Sequence, residues 1–267
     1  MRVEARVVGR VDAETLRRIR ENSVNLRHVH ARGASYAGRT LEKFCSVGCR
    51  FMGCQFERMR INDAAFGSGM EMSEYVDCVF DGLRFDHATG NARFVRCSFR
   101  NVVLRGWICL GVEMVDCVFS GRLEEVVFNG TVPLEKRSFL HRERNEFHGN
   151  DFSGVDLIDV AFRRGIDLTQ QRLPAGPQYL YLPDAAAALA YAQAEVAKWQ
   201  GDAGVRKDAF SLLRAYQFEA SNGQRQLLLR VGDYSVHSRE VADGVWALLR
   251  PYAVAPGSAS FDRPSET

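Results

Sequence analysis

From Val24 onward a large apolar residue recurs at every fifth position, with small or polar residues between: VNLRH, VHARG, ASYAG, RTLEK, FCSVG, CRFMG, CQFER, MRIND and AAFGS run without a gap. The same phase returns at SEYVD, CVFDG and LRFDH, then at ARFVR, CSFRN, VVLRG, WICLG, VEMVD and CVFSG. It returns once more at VVFNG and at NEFHG, NDFSG, VDLID and VAFRR, making twenty-three units. Twelve of the seventeen phenylalanines are central residues of a unit, so the phase and not the overall composition places them. A period of five fits neither a helix face nor an alternating strand, so each unit must turn a corner before the next begins. Eleven units end in Gly, which suits a tight corner that needs positive φ.

The self-similarity is strongest at four units. Val-Asp-Cys-Val-Phe-Asp-Gly from Val76 reappears as Val-Arg-Cys-Ser-Phe-Arg-Asn from Val95 and as Val-Asp-Cys-Val-Phe-Ser-Gly from Val115. Four corners per repeat predict a square coil, each turn stacked about 4.8 Å above the last at strand-pairing distance.

Over residues 24–164 these units resemble those of the pentapeptide-repeat proteins: a small residue, a polar residue, Leu or Phe, then two polar or small residues. The resemblance implies a right-handed quadrilateral β-helix with the central and first residues of each unit pointing inward. The phase breaks at residues 69–72, 87–91, 122–125 and 131–144. Three breaks separate central residues by nine positions instead of ten (Phe66 to Tyr75, Phe85 to Phe94, Phe119 to Phe128), and each is expected to be a bulge that keeps the coil count. The fourth is longer and is expected to leave the coil as a loop.

The predicted fold is therefore mainly β, a pentapeptide-repeat solenoid over residues 24–168 with a loop insertion at 131–144. An N-terminal strand and helix over 1–23, with Asp12 as N-cap, are expected to plug the open first coil. After Arg164 the phase is lost, and a helical domain is expected over 169–252. There Asp184 caps a helix bearing Leu189, Ala192, Val196 and Trp199, a second helix carries Val205, Ala209, Leu212, Leu213 and Tyr216 up to Gly223, residues 224–231 form a strand, and Ser238 caps a third helix. Residues 253–267 read as a disordered tail. With 267 residues and 46% hydrophobic composition the chain can support both parts.

Charge and cysteine usage narrow the function classes. Residues 1–41 hold nine Arg against four acids, residues 42–168 sixteen bases against nineteen acids, and the rest balance. The cluster Arg17, Arg18 and Arg20 reads as a solvated helix face, since it lacks interleaved aromatics, and no direct nucleic-acid binding is expected. Cys49, Cys54, Cys78, Cys97 and Cys117 fall on the inward first position and Cys109 on a central one, leaving only Cys45 outward. They read as small buried hydrophobes rather than zinc ligands, because C-x3-C-x4-C lacks paired C-x2-C spacing. Free thiols and a charged N-terminus point to a cytoplasmic protein without a membrane span. The sequence has no Walker loop, dinucleotide fingerprint, nucleophile elbow or H-E-x-x-H motif, and its histidines fall mostly at corners or in loops; no enzyme, metal or cofactor is expected.

Two functions follow. One is a rigid protein-interaction scaffold. The other comes from the resemblance alone: some pentapeptide-repeat proteins imitate duplex DNA, bind DNA gyrase or a related type II topoisomerase and protect it from inhibitors or toxins. Mimicry needs an acidic stripe, yet Glu74 and Asp77 are expected beside Arg93 and Arg96, and these beside Glu113 and Asp116, so that charge alternates up one face. The resemblance also implies a homodimer through terminal coils or helices. Candidate partner-binding residues are Ile108, Leu110 and Val127, an outward apolar strip, and Leu134, Phe139 and Leu140 in the insertion. The helical domain or the insertion is expected to pack on the strip; otherwise the strip is itself the partner or dimer surface.

Overall fold

The computed structural model describes residues 22–200, 202–233 and 237–255. The expected N-terminal plug and most of the expected tail lie outside them. Every coil stacks in parallel register on the one before, as Val24 on Phe44 and Phe51 on Tyr75 illustrate. The result is a β-solenoid followed by helices.

The coil has four faces. An eight-stranded sheet wraps two of them, because strands such as Thr40–Val47 and Ser98–Arg105 bend through a corner without breaking. A six-stranded sheet from His30–Arg32 to Phe147–His148 makes the next. Single bridges such as Ser35 to Gln55 and Gln55 to Val79 hold the last. Corners adopt positive φ, at glycines such as Gly33 and Gly53 and also at Asp77, Arg96 and Asp116.

Stacking puts like on like inside. Tyr36, Phe56, Phe80, Phe99, Phe119 and Phe152 form one column with ring centroids 4.6 to 4.9 Å apart and nearly parallel planes. Cys54, Cys78, Cys97 and Cys117 form the column beside it, each thiol donating to a carbonyl two residues back in its own coil. All seven cysteines are free, Cys45 alone being half-exposed. Burial, then the neighbouring Cys117 thiol, holds the Cys97 thiol well above the usual range, so it stays protonated.

The breaks in phase resolve individually. At Phe85 to Phe94 and Phe119 to Phe128 one unit is shortened, with Gly90 and Leu123 on the missing step: Ala65 pairs with Thr89, and Leu104 with Leu123. Gly121, which the repeat assigns to a corner, instead pairs with Val102 at an inward position. The Phe66 to Tyr75 break is different. Phe66 pairs with Ser46 and Tyr75 with Phe51, one face apart, so residues 69–72 are an insertion into a corner and not a shortened unit.

The ladder also outlasts the repeat. Arg172 N–H donates to the Asn150 carbonyl at 2.9 Å and Leu173 is buried in the solenoid core, so the last coil closes within what reads as the next domain. Beyond it, strands Tyr179–Leu182 and Leu227–Arg230 pair antiparallel. Helices α2 (Ala185–Ala197), α3 (Ala203–Glu219) and α4 (Arg239–Leu249) enclose a second core; α1 is the short helix Leu134–Leu140 in the insertion. Asp184 and Ser238 cap α2 and α4 as the sequence predicts, while α3 ends at Glu219, short of Gly223. Val254 bridges to Tyr181, so residues 253 and 254, expected in the tail, belong to this unit.

This second unit sits on the end of the solenoid and satisfies its last coil with side chains. Leu157 N–H donates to the Tyr179 hydroxyl at 2.9 Å, Asp159 N–H to Asp233 at 3.1 Å, and Gly165 and Ile166 N–H both to Gln224 at 3.0 Å. Arg230 pairs with Asp156, and Arg163 with Glu219. Among the described residues no helix is long and apolar enough to cross a membrane.

Two outcomes test this packing. Phe99→Ala removes a fully buried ring from the middle of its column and should cost about 3–5 kcal/mol in chemical denaturation. Burial pushes the Asp233 carboxyl up from 3.8 to about 6 despite the Asp159 N–H and Arg230 beside it. The folded chain therefore holds a proton there that the unfolded chain has lost, and the stability from this group is present at low pH and lost as pH rises through about 6. Asp233→Asn should raise the melting temperature more at pH 7 than at pH 5; an increment independent of pH refutes the assignment.

Candidate functional site

The candidate residues fall in two groups, a strip on the coil (Ile108, Leu110 and Val127) and the insertion (Leu134, Phe139 and Leu140), which meet where Leu140 lies against Gly111. Ile108 and Val127 are ladder neighbours on one outer face, and Leu110 lies two residues along from Ile108 on the same side. One outward column of that face is uncharged, since Asn25, Cys45, Ala65, Thr89, Ile108, Val127 and Ala161 stack on successive coils, while the column beside it carries Arg27 and Arg163 at its two ends.

The insertion is anchored at both ends. Thr131 bridges Arg144, Val132 N–H donates to the Glu143 carbonyl at 2.9 Å, and Val132 is buried. Pro133 opens α1, and His141 at φ 53 terminates it in the left-handed region. Arg142 then fastens the returning chain. It donates to the Gly111 carbonyl at 2.7 Å, to Asn91 at 2.9 Å and to Asn145 at 3.1 Å, and lies 3.3 Å from Glu113. Glu113 is buried, and Arg93 bridges it to Glu146. Burial lowers the Arg142 guanidinium from its usual range, and Glu113 opposes that shift. A buried charge of this kind is tolerable only because each partner is met.

This seating decides what is covered. Leu140 packs over Gly111, where a Cβ would come within 2.7 Å of its Cδ1, so the end of α1 closes down beside Leu110. Leu110, Val127 and Leu140 are half-buried. Ile108 remains 49% exposed, Leu134 77% and Phe139 43%. The helical unit does not reach the strip: Leu189, Val196, Leu212 and Leu213 are buried within its own core and Trp199 packs against that core. Of the two expected coverings of the strip, the structure shows the end of the insertion beside Leu110 and not the helices. The helices cap the solenoid's end because Tyr179, Gln224 and Asp233 answer the open backbone groups there.

Charges on the face carrying Glu74, Arg93 and Glu113 are matched coil to coil. Glu74 faces Arg93 and Arg93 faces Glu113 in register, with Arg93 to Glu113 at 2.7 Å and Arg96 to Asp77 at 2.8 Å. Arg50 to Glu74 and Arg105 to Glu125 lie at 3.3 and 2.9 Å. Among the described residues no three His, Cys, Asp or Glu are grouped to hold a metal ion. No family model and no curated protein matches the chain.

The Arg142 network was not foreseen. Its signal was Asn145, a polar residue at an inward first position. It donates to the Asn129 and Leu110 carbonyls at 2.8 and 3.0 Å, groups that the departing chain leaves unpaired. Arg142→Met keeps the stem but removes these bonds. It should speed protease cleavage within residues 131–144 severalfold while leaving the solenoid's circular dichroism unchanged.

Proposed function

We propose that the protein is a non-enzymatic interaction scaffold of the pentapeptide-repeat kind, which offers a partner protein the apolar surface around Ile108, Leu110, Val127, Leu134, Phe139 and Leu140. One observation carries this reading. In a chain whose large repeat residues are nearly all inside, Ile108, Leu134 and Phe139 stand exposed around an insertion that a buried ionic network holds in place. Exposed apolar groups on a fixed loop are the usual material of a contact surface, because they bind without first losing much conformational freedom. The repeat coil supplies rigidity.

Imitation of DNA receives little support. The acids that would stand for phosphates, Glu74, Asp77, Glu113 and Glu125, are engaged by Arg50, Arg96, Arg93 and Arg105 on neighbouring coils. A continuous negative track, on which phosphate-directed binding depends, does not form there.

The test is site-specific photocrosslinking from position 139 in cells, with a probe at the exposed position 153, on a different face and far from the arginines of the first coils, as control. The expected outcome is a discrete protein adduct from position 139 that Ile108→Asp abolishes, an apolar hot spot being worth about 2 kcal/mol or more. Adducts equal at both positions, or unaffected by Ile108→Asp, sink the scaffold reading. A gyrase supercoiling assay in which the protein alters inhibition or drug sensitivity would favour the mimic instead.

A further inference from the structure

Opposite charges face each other up most of the solenoid, but one corner breaks the rule. Arg60 and Arg84 are directly opposite in the parallel ladder, both exposed. Arg58, at φ 52, sends its side chain across Gly82, with Cγ 3.2 Å from where a Cβ there would sit, and so leans toward the coil that carries Arg84. Arg39 lies on the coil before, its carbonyl accepting from Arg60 N–H at 2.8 Å. None of the four makes an ion pair among the described residues, although Lys43, Arg50, Arg93, Arg96, Arg100 and Arg105 all do. The nearby acids are otherwise engaged in part: Glu42 accepts from Asn62 at 2.7 Å, and Asp81 from Ser98 and from the Arg100 amide. Glu57 and Asp86 lie close in sequence but pair with none of the four.

The corner belongs to a wider asymmetry. Residues 22–60 hold seven Lys and Arg against two acids, and residues 113–159 hold five against ten. Like charges in direct register destabilise a ladder, so this stack is a departure from the pairing that the rest of the coil achieves. Guanidinium forks held in rows on a rigid sheet are suited to carboxylates, which they grip bidentately. Nucleic acid fits less well, because the aromatics of these coils point inward: Phe56, Phe80 and Phe85 are buried, and Tyr36 stacks on Phe56, leaving no platform for bases.

We propose that the corner formed by Arg39, Arg58, Arg60 and Arg84 is a docking site for an acidic segment of a partner protein. It lies apart from the apolar surface and stands or falls independently of it. The probe is a fluorescein-labelled oligoglutamate peptide, followed by anisotropy with the full-length protein. Binding should weaken steeply with salt, and the Arg60→Ala/Arg84→Ala double variant should weaken it about tenfold or more. Arg96→Ala, which removes a guanidinium already paired with Asp77, should leave it unchanged. Arg60→Glu is the decisive variant, because it creates the missing opposite pair with Arg84. It should raise the melting temperature by about 1–2 °C while abolishing peptide binding. Absence of peptide binding, undiminished binding by Arg60→Glu, or tighter binding of single-stranded or duplex DNA than of oligoglutamate would overturn the proposal.

Discussion

Parallel in-register stacking is the constraint from which the rest of this structure follows. Each inward side chain rests on the residue one coil below and supports the one above, so a position is judged by its column and not by its neighbours in sequence. Columns of Phe, or of Cys, satisfy the constraint with one repeated shape. Outside, the same register places charge opposite charge, and alternation of sign becomes the simplest way to stack them.

Departures from the repeat come in compensating sets. Ser46 occupies a central position meant for a large apolar residue, and its hydroxyl meets that of Tyr75 at 2.8 Å, so two buried polar groups satisfy each other. Gly90 leaves a central place without a side chain, where a Cβ would come within 2.3 Å of the Phe66 carbonyl. Trp107, stacked on Ala88 in the next coil, fills the volume by packing on Phe66, Phe85 and Phe94. At the far end Asn150 closes the cysteine column, accepting from Cys117 N–H and donating to Gln171. These exchanges cannot be placed from sequence until the coils are aligned, because the partners lie on different coils, as Ser46 and Tyr75 do at 29 residues apart and Cys117 and Asn150 at 33.

That separation explains what was legible. A period of five with Phe at its centre identifies columns, inward cysteines and alternating ladders directly, because each is a property of position within the unit. Caps at Asp184 and Ser238 are local and equally readable. Breaks in the period are ambiguous: nine residues between Phe66 and Tyr75 look like nine between Phe85 and Phe94, and only the ladder partners distinguish an added corner from a shortened unit. Where the helices dock is open in the sequence for a related reason, the side of the solenoid and its last coil near residues 160–168 both being available to them. Their apolar stripes looked available, yet they were needed for each other, while the contacts that hold them to the coil are polar: Tyr179, Gln224, Arg230 and Asp233. The seating of the insertion by Arg142 likewise depends on the Asn91 side chain and the Gly111 carbonyl, which no local pattern brings together.

A coil that templates its own successor resembles a crystal growing along one axis, and nothing inside a layer records how many layers there should be. Here that information resides at the end. Tyr179, Gln224 and Asp233 occupy hydrogen-bonding groups that another strand would otherwise take, yet their side chains offer no backbone row on which a further layer could nucleate. The helical unit therefore acts as a chain terminator in the polymer sense. Length and surface are separable in such a design: evolution can insert or delete whole layers, and move the apolar corner and the arginine corner apart by about 4.8 Å per layer, without rebuilding either one.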